Sequence, residues 1–249
     1  MRVETGDNVG IAGFIITGNA PKSVLLRAIG PSLTQAGVPD ALADPVLELH
    51  GPAGFPTVMN DNWRDTQIPC TDLPPTDDLE SAICANLNAG AYTAIISGKN
   101  NTSGAGLIEA YDLSPAALSR LANISTRAFV DIGSNVVIAG FILGGNSGVD
   151  RIVLRGIGPS LAAAGVDSAL ADPTLELRDG NGALLKANNN WQDDPDQAAE
   201  LVIAGLAPTS PLESGIAATL PPGSYTALLA GVNNTSGVGL VEVYDRGLP

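Results

Sequence analysis

Arg27-Ala28-Ile29-Gly30-Pro31-Ser32-Leu33 and Arg155-Gly156-Ile157-Gly158-Pro159-Ser160-Leu161 are one stretch spelled twice. Their offset, 155 minus 27, is 128, and the same 128 separates Asp44-Pro45 from Asp172-Pro173 and Trp63 from Trp191. The chain is therefore a tandem of two copies. Its 249 residues divide into units of about 120, an ordinary size for a domain with its own core. The spacing sets the boundary at 1–118 and 119–249.

Working outward, Asp44-Pro45 and Asp172-Pro173 open the clearest strands. Leu47 and Leu49 alternate with Val46, Glu48 and His50, as Leu175 and Leu177 do with Thr174, Glu176 and Arg178. This period of two belongs to a half-buried antiparallel strand. Asp179-Gly180-Asn181-Gly182 follows as a hairpin turn. Val9–Thr17, with its repeat from Val136, reads as a strand apolar on both faces, and Ser23–Ile29 as the next. The Gly-Pro-Ser triplets stop that strand, and Pro31–Ala43 has room for one or two helical turns. Tyr92–Ser97 and Leu107–Tyr111 close the first copy, with Tyr225 and Leu240 leading their counterparts. Between Trp63 and Glu80 runs a polar loop. Leu79-Glu80-Ser81 recurs as Leu212-Glu213-Ser214 at an offset of 133, so the second copy carries five more residues there (133 minus 128).

Aliphatic residues are abundant, aromatics are only 4%, and 29 Gly and 18 Pro punctuate the chain. That mixture suits short strands between turns. The fold expected is all-β: two tandem antiparallel β-sandwich domains, jelly-roll-like. A formal charge of −14 repels phosphate backbones and anionic headgroups, so neither nucleic acid nor a membrane is expected as partner. No apolar run approaches the ~20 residues of a spanning helix.

Catalytic chemistry finds little to stand on. His50 is the single histidine, and Arg178 replaces it in the second copy. Gly30-Pro31-Ser32 lacks the glycine spacing of a nucleophile elbow. Hard oxygen ligands are richer: Asn60, Asp61, Asn62 and Asp65 in one copy and Asn188, Asn190, Asp193, Asp194 and Asp196 in the other. Asp61, Asp65, Asp193 and Asp194 are the candidate calcium ligands, and a solvated turn with Asx hydrogen bonds is the alternative. Cys70 and Cys84 both lie in the first copy. They read as a disulfide stapling a loop in an oxidising compartment, or as two free buried thiols.

Eight of the ten aromatics form matched pairs: Phe14 with Phe141, Trp63 with Trp191, Tyr92 with Tyr225 and Tyr111 with Tyr244. A shared core requires such pairing, which argues against a carbohydrate platform without excluding a duplicated one. The copies differ at their borders. Arg120-Leu121-Ala122-Asn123-Ile124-Ser125 reads as an extra strand before the second copy, with no counterpart before the first. Assigned to the second unit, it leaves an open edge on the first, where a neighbouring copy adds a strand.

Asp172-Pro173-Thr174-Leu175-Glu176-Leu177, Gly180-Asn181-Gly182, Asn188-Asn189-Asn190 and Leu220-Pro221-Pro222-Gly223-Ser224-Tyr225-Thr226 together resemble the pre-peptidase C-terminal (PPC-like) β-sandwich domains of secreted bacterial proteins. Arg120 to Arg127, with Asn233 to Asp245, is similar to a tandem module of large bacterial extracellular proteins. The resemblance implies a secreted or cell-surface protein with a structural or accessory role, no catalytic residues, and calcium at the asparagine-rich turn. The function expected is a non-catalytic structural subunit of an extracellular assembly, a filament of copies joined by strand addition or domain contacts. The alternative is an accessory ligand- or carbohydrate-binding module of a larger secreted enzyme or adhesin.

Overall fold

Leu47, Leu49, Leu175 and Leu177 are fully buried while the residues between them are not, so the period-two runs do form strands with one face on a core. The computed structural model describes residues 1–65, 73–133, 135–144 and 148–247. The chain is mostly β, its named strands pair antiparallel, and it divides into two compact units, Met1–Ile124 and Ser125–Pro249.

Unit 1 contains β1 (Arg2–Val3), β2 (Gly10–Gly18), β3 (Lys22–Ile29), β4 (Pro45–His50), β5 (Val58–Asn60), β6 (Ser81–Leu87), β7 (Gly90–Gly98), β8 (Gly104–Ala105) and β9 (Leu107–Asp112). The strand β10 (Ser119–Val130) follows, and the division between units falls within it. Unit 2 continues with β11 (Val137–Leu143), β12 (Asp150–Ile157), helix α1 (Pro159–Ala163), β13 (Pro173–Asp179), β14 (Leu184–Asn188), helix α2 (Pro195–Ile203), β15 (Ser214–Leu220), β16 (Gly223–Gly231) and β17 (Gly237–Asp245).

In unit 1 the strand orders are β10-β2-β7-β4-β5 and β6-β3-β9, and β1 pairs with β8. Phe14, Ile16, Leu47 and Tyr92 from the first set share one buried cluster with Val24, Leu26 and Ile83 from the second. Unit 2 repeats the plan as β11-β16-β13-β14 and β15-β12-β17-β10. Phe14 stands opposite Tyr92 in register with its ring stacked at 5.5 Å, and Phe141 stands in the same way to Tyr225.

The twice-spelled motif now has a physical reason. A Cβ on Gly30 would lie 2.1 Å from the Leu42 carbonyl oxygen, and one on Gly158 the same distance from that of Leu170, so only glycine fits. Pro31 and Pro159 then begin the short helices 31–36 and 159–163, where a missing amide hydrogen costs nothing. The amides of Gly30 and Ser32 and the Ser32 hydroxyl all donate to Oε1 of Glu80, at 3.1, 3.0 and 2.5 Å. Gly158 and Ser160 surround Glu213 likewise, with amide distances of 3.2 and 3.0 Å. Both glutamates have no solvent exposure, and these donors replace the lost water.

Two elements differ from the sequence reading. The second copy's longer loop contains α2, whose Leu201 is fully buried. The Arg120–Ser125 strand is real, but its residues through Ile124 belong to unit 1. There Leu121 and Ile124 pack on the core of that unit, and the Asn19 amide donates to the Leu118 carbonyl at 3.0 Å. The expected open edge on the first unit is therefore filled.

Candidate functional site: an open sheet edge

The strand β2 of unit 1 and β11 of unit 2 are the same element at an offset of 127: Ile11, Gly13, Phe14 and Ile15 match Ile138, Gly140, Phe141 and Ile142. In unit 1 the outer edge of β2 is taken by β10. Gly18 allows that approach, since a Cβ there would sit 2.3 Å from the Leu118 oxygen and its φ is +113°. In unit 2, β11 pairs with β16 on one side and ends its sheet on the other, with no strand beside it among the described residues.

Alternation along β11 is strict. Val137, Ala139 and Phe141 are buried, whereas Ile138 and Ile142 are 51% and 78% exposed. Their counterparts Ile11 and Ile15 are only half-buried or better. The edge thus combines unpaired backbone groups with isoleucines facing water, and it carries no lysine, proline or inward charge of the kind that protects edge strands. Other sheet ends lack this combination: β5 is three residues long, β14 carries Lys186, β9 carries Glu109 and Asp112, and β6 and β15, equally uncharged, bury their isoleucines.

The residues singled out as calcium ligands have other partners. Asp61 Oδ2 lies 2.6 Å from Lys99 Nζ, and Asp65 Oδ2 accepts from Asn62 Nδ2 at 3.2 Å. In unit 2, Asp193 Oδ2 accepts from Asn190 Nδ2 at 3.4 Å. Asp194 caps α2, accepting from the backbone amides of Asp196 and Gln197, and the side-chain hydrogen bond from Gln197 Nε2, followed by those amides, holds its carboxyl below the usual range. Among the described residues, no group of three or more His, Cys, Asp or Glu is arranged to hold a metal. The Oδ1 atoms of Asp44, Asp61 and Asn62, and of their counterparts Asp172, Asn189 and Asn190, are buried and accept no hydrogen bond from the protein.

His50 is better connected than a solvated side chain. Its Nε2 lies 3.1 Å from Glu48 Oε2, and its Nδ1 lies 3.2 Å from the Thr57 hydroxyl, a hydroxyl–imidazole–carboxylate row. The second unit shows what the row does. Arg178 binds Glu176 there at 2.6 Å and donates to the Gly182 carbonyl at 2.8 Å, closing the hairpin. All three side chains of the row lie along the open surface of a strand pair, so we read it as a latch.

The matched aromatics divide into two groups. Phe14, Tyr92, Phe141 and Tyr225 are buried, while Trp63 and Trp191 are partly covered and donate to the carbonyls of Asp77 and Ser210. Tyr111 and Tyr244 lie under the guanidinium groups of Arg27 and Arg155 at 5.0 and 5.3 Å. Burial raises the Tyr244 phenol to about 12, with help from neighbouring Glu242, and moves Tyr111 in the same direction. None of these rings forms an open platform. Cys84 lies opposite Leu25 on β6, and Cys70 falls outside the described residues, as does the pairing expected between them.

No known family profile matches the chain, and no curated protein matches it. Among solved structures, the crystal structure of the STIV MCP aligns over 98% of this chain and 90% of that one, with 15% identity and a TM-score of 0.26. No helix among the described residues is long and apolar enough to cross a membrane.

Proposed function

We propose that the chain is a non-catalytic structural subunit that associates with copies of itself, outside the cell or at its surface, and that each unit is a two-layer antiparallel β-sandwich. The observation that carries this reading is the outward face of β11, where Ile138 and Ile142 stand exposed on a strand without ionisable side chains. An uncovered, uncharged, seven-residue edge is a template for another chain's backbone. Fully burying an exposed isoleucine adds about 1.5–3 kcal/mol, and Ile138 and Ile142 both stand beside the opening. Secretion follows from the resemblance to extracellular bacterial modules.

Head-to-tail addition through residues 120–125 is disfavoured, because that strand is already committed to β2. The contact instead uses β11 directly. Light scattering on the purified chain from about 1 µM to 1 mM, the span in which a small interface saturates, tests the reading. Mass should rise with concentration, and a constant monomer mass would end it. The second reading, an accessory module, has one feature in its favour: an apolar depression in unit 2 lined by Leu177, Leu185, Ala218, Leu220 and Tyr225. A glycan array giving specific binding, with no self-association, would favour that reading.

A further inference from the structure

We infer that the depression in unit 2 binds a neutral aromatic ring carrying a short substituent, because in unit 1 the equivalent place is taken by the chain's own Phe55. The inference stands whether or not the chain associates with its copies. At the repeat offsets of 128 and 133, Leu177, Ala218, Leu220 and Tyr225 of the depression correspond to Leu49, Ala85, Leu87 and Tyr92. Those four form part of the unit 1 core or pack on it, and Phe55 packs with them, its ring edge-on to that of Tyr92 at 5.5 Å. The hairpins have the same length, since Leu47 pairs with Asn60 as Leu175 pairs with Asn188, and the residue matching Phe55 is Ala183. Unit 2 therefore keeps the wall and lacks the ring that stands on it. Among the described residues, Tyr225 is the only aromatic lining the depression.

A neighbouring position changes together with the ring. Phe55 lies directly on Gly51, where a Cβ would come 2.6 Å from its ring, and unit 2 has Asp179 there. Asp179 Oδ1 accepts from the amides of Asn181 and Ala183, both at 2.9 Å, and Lys186 Nζ donates to the Ala217 carbonyl at 2.7 Å. The two charges on the rim are thus opposite in sign, and each already has a partner. An uncharged group loses least on entering such a place. The volume of about 430 Å³ lies in the span of small-molecule sites. A cavity of about 150 Å³ already holds benzene, so there is room for a ring and a substituent. An edge-to-face contact on Tyr225, of the kind Phe55 makes on Tyr92, favours an aromatic ring over a saturated one of equal size.

Amide NMR of the full chain tests the site, with benzyl alcohol as the probe and cyclohexylmethanol as its saturated counterpart. Benzyl alcohol should shift the amides of Leu185, Leu220 and Tyr225 with a dissociation constant of about 1–20 mM, as suits so small a ligand. Cyclohexylmethanol should bind about two- to tenfold more weakly. The double variant Asp179→Gly/Ala183→Phe reproduces the unit 1 arrangement and should abolish the shifts. Phe55→Ala should open a second site at Tyr92 and raise the stoichiometry from one ring to two. If Phe55→Ala does not fold, the double variant alone decides. No shift at about 50 mM, well above the expected constant, would overturn the assignment, as would equal affinity for the two alcohols, unchanged binding in the double variant, or a folded Phe55→Ala that still takes one ring. Shifts of the same amides with protein concentration alone would give the depression to a side chain of a second copy, and would overturn it too.

Discussion

The Lys99 ammonium lies 2.6 Å from the Asp61 carboxylate and 3.5 Å from that of Asp44, and the second unit replaces two of the three together, with Val232 for Lys99 and Asn189 for Asp61. The Asp61 hydrogen bond is the main cause that raises the lysine's pKa. Two carboxylates sharing this corner need the ammonium, and one carboxylate beside an asparagine does not. Lys99→Val should therefore lower the melting temperature of unit 1, and adding Asp61→Asn should restore most of the loss. A double-mutant cycle on thermal unfolding checks this through a coupling clearly different from zero.

Glu80 and Glu213 should be the most sensitive polar positions. Each carboxylate is buried and receives three backbone amides and a serine hydroxyl, so Glu213→Ala leaves four donors without an acceptor. A loss of about 3 kcal/mol or more is expected. Ser160→Ala removes one donor and should cost about 1 kcal/mol. Chemical denaturation of the two variants gives the ratio directly.

Alkaline stability should report on Tyr244. Its phenol is raised to about 12 in the folded chain from the ordinary 10, chiefly by burial and then by Glu242. Below pH 10 both folded and unfolded chains keep the proton, and the group adds no pH dependence. Between about 10 and 12 the unfolded chain ionises first, so stability falls as pH rises. Tyr244→Phe should flatten that part of the melting curve, although it loses the 2.8 Å bond to Glu242, worth about 1 kcal/mol at neutral pH.

Much of the fold was legible in the residues because the duplication checks itself. Leu47 and Leu49 against Leu175 and Leu177 show the same alternation twice, and Phe14–Tyr92 repeats as Phe141–Tyr225. Allegiance at the border was not legible. Arg120–Ile124 has a strand's composition, but whether it serves the unit before or after it depends on Leu121 and Ile124 meeting a core built from distant segments. The helix α2 had a local signal, Asp194-Pro195-Asp196-Gln197, in which Gln197 Nε2 bonds back to Asp194 Oδ2 at 3.0 Å. Its place in a polar insertion hid it. Glu80 marks the repeat in the sequence, yet its role depends on Gly30 and Ser32, about fifty residues away.

Salt should strengthen association. The like charge of two −14 chains opposes their approach at long range, and ions shorten that repulsion to about 8 Å at 0.15 M, while the apolar contact at β11 is unaffected. Dimer mass at fixed protein concentration should increase from 10 mM to 0.3 M sodium chloride. A decrease would assign the contact to ion pairs.

Hydrogen exchange of the backbone amides at low and high protein concentration tests the β11 edge most directly. Amides of 137–143 should become protected as concentration rises, and those of β2, already covered by β10, should not change. Exchange at β11 that stays the same while the particle grows would contradict the account.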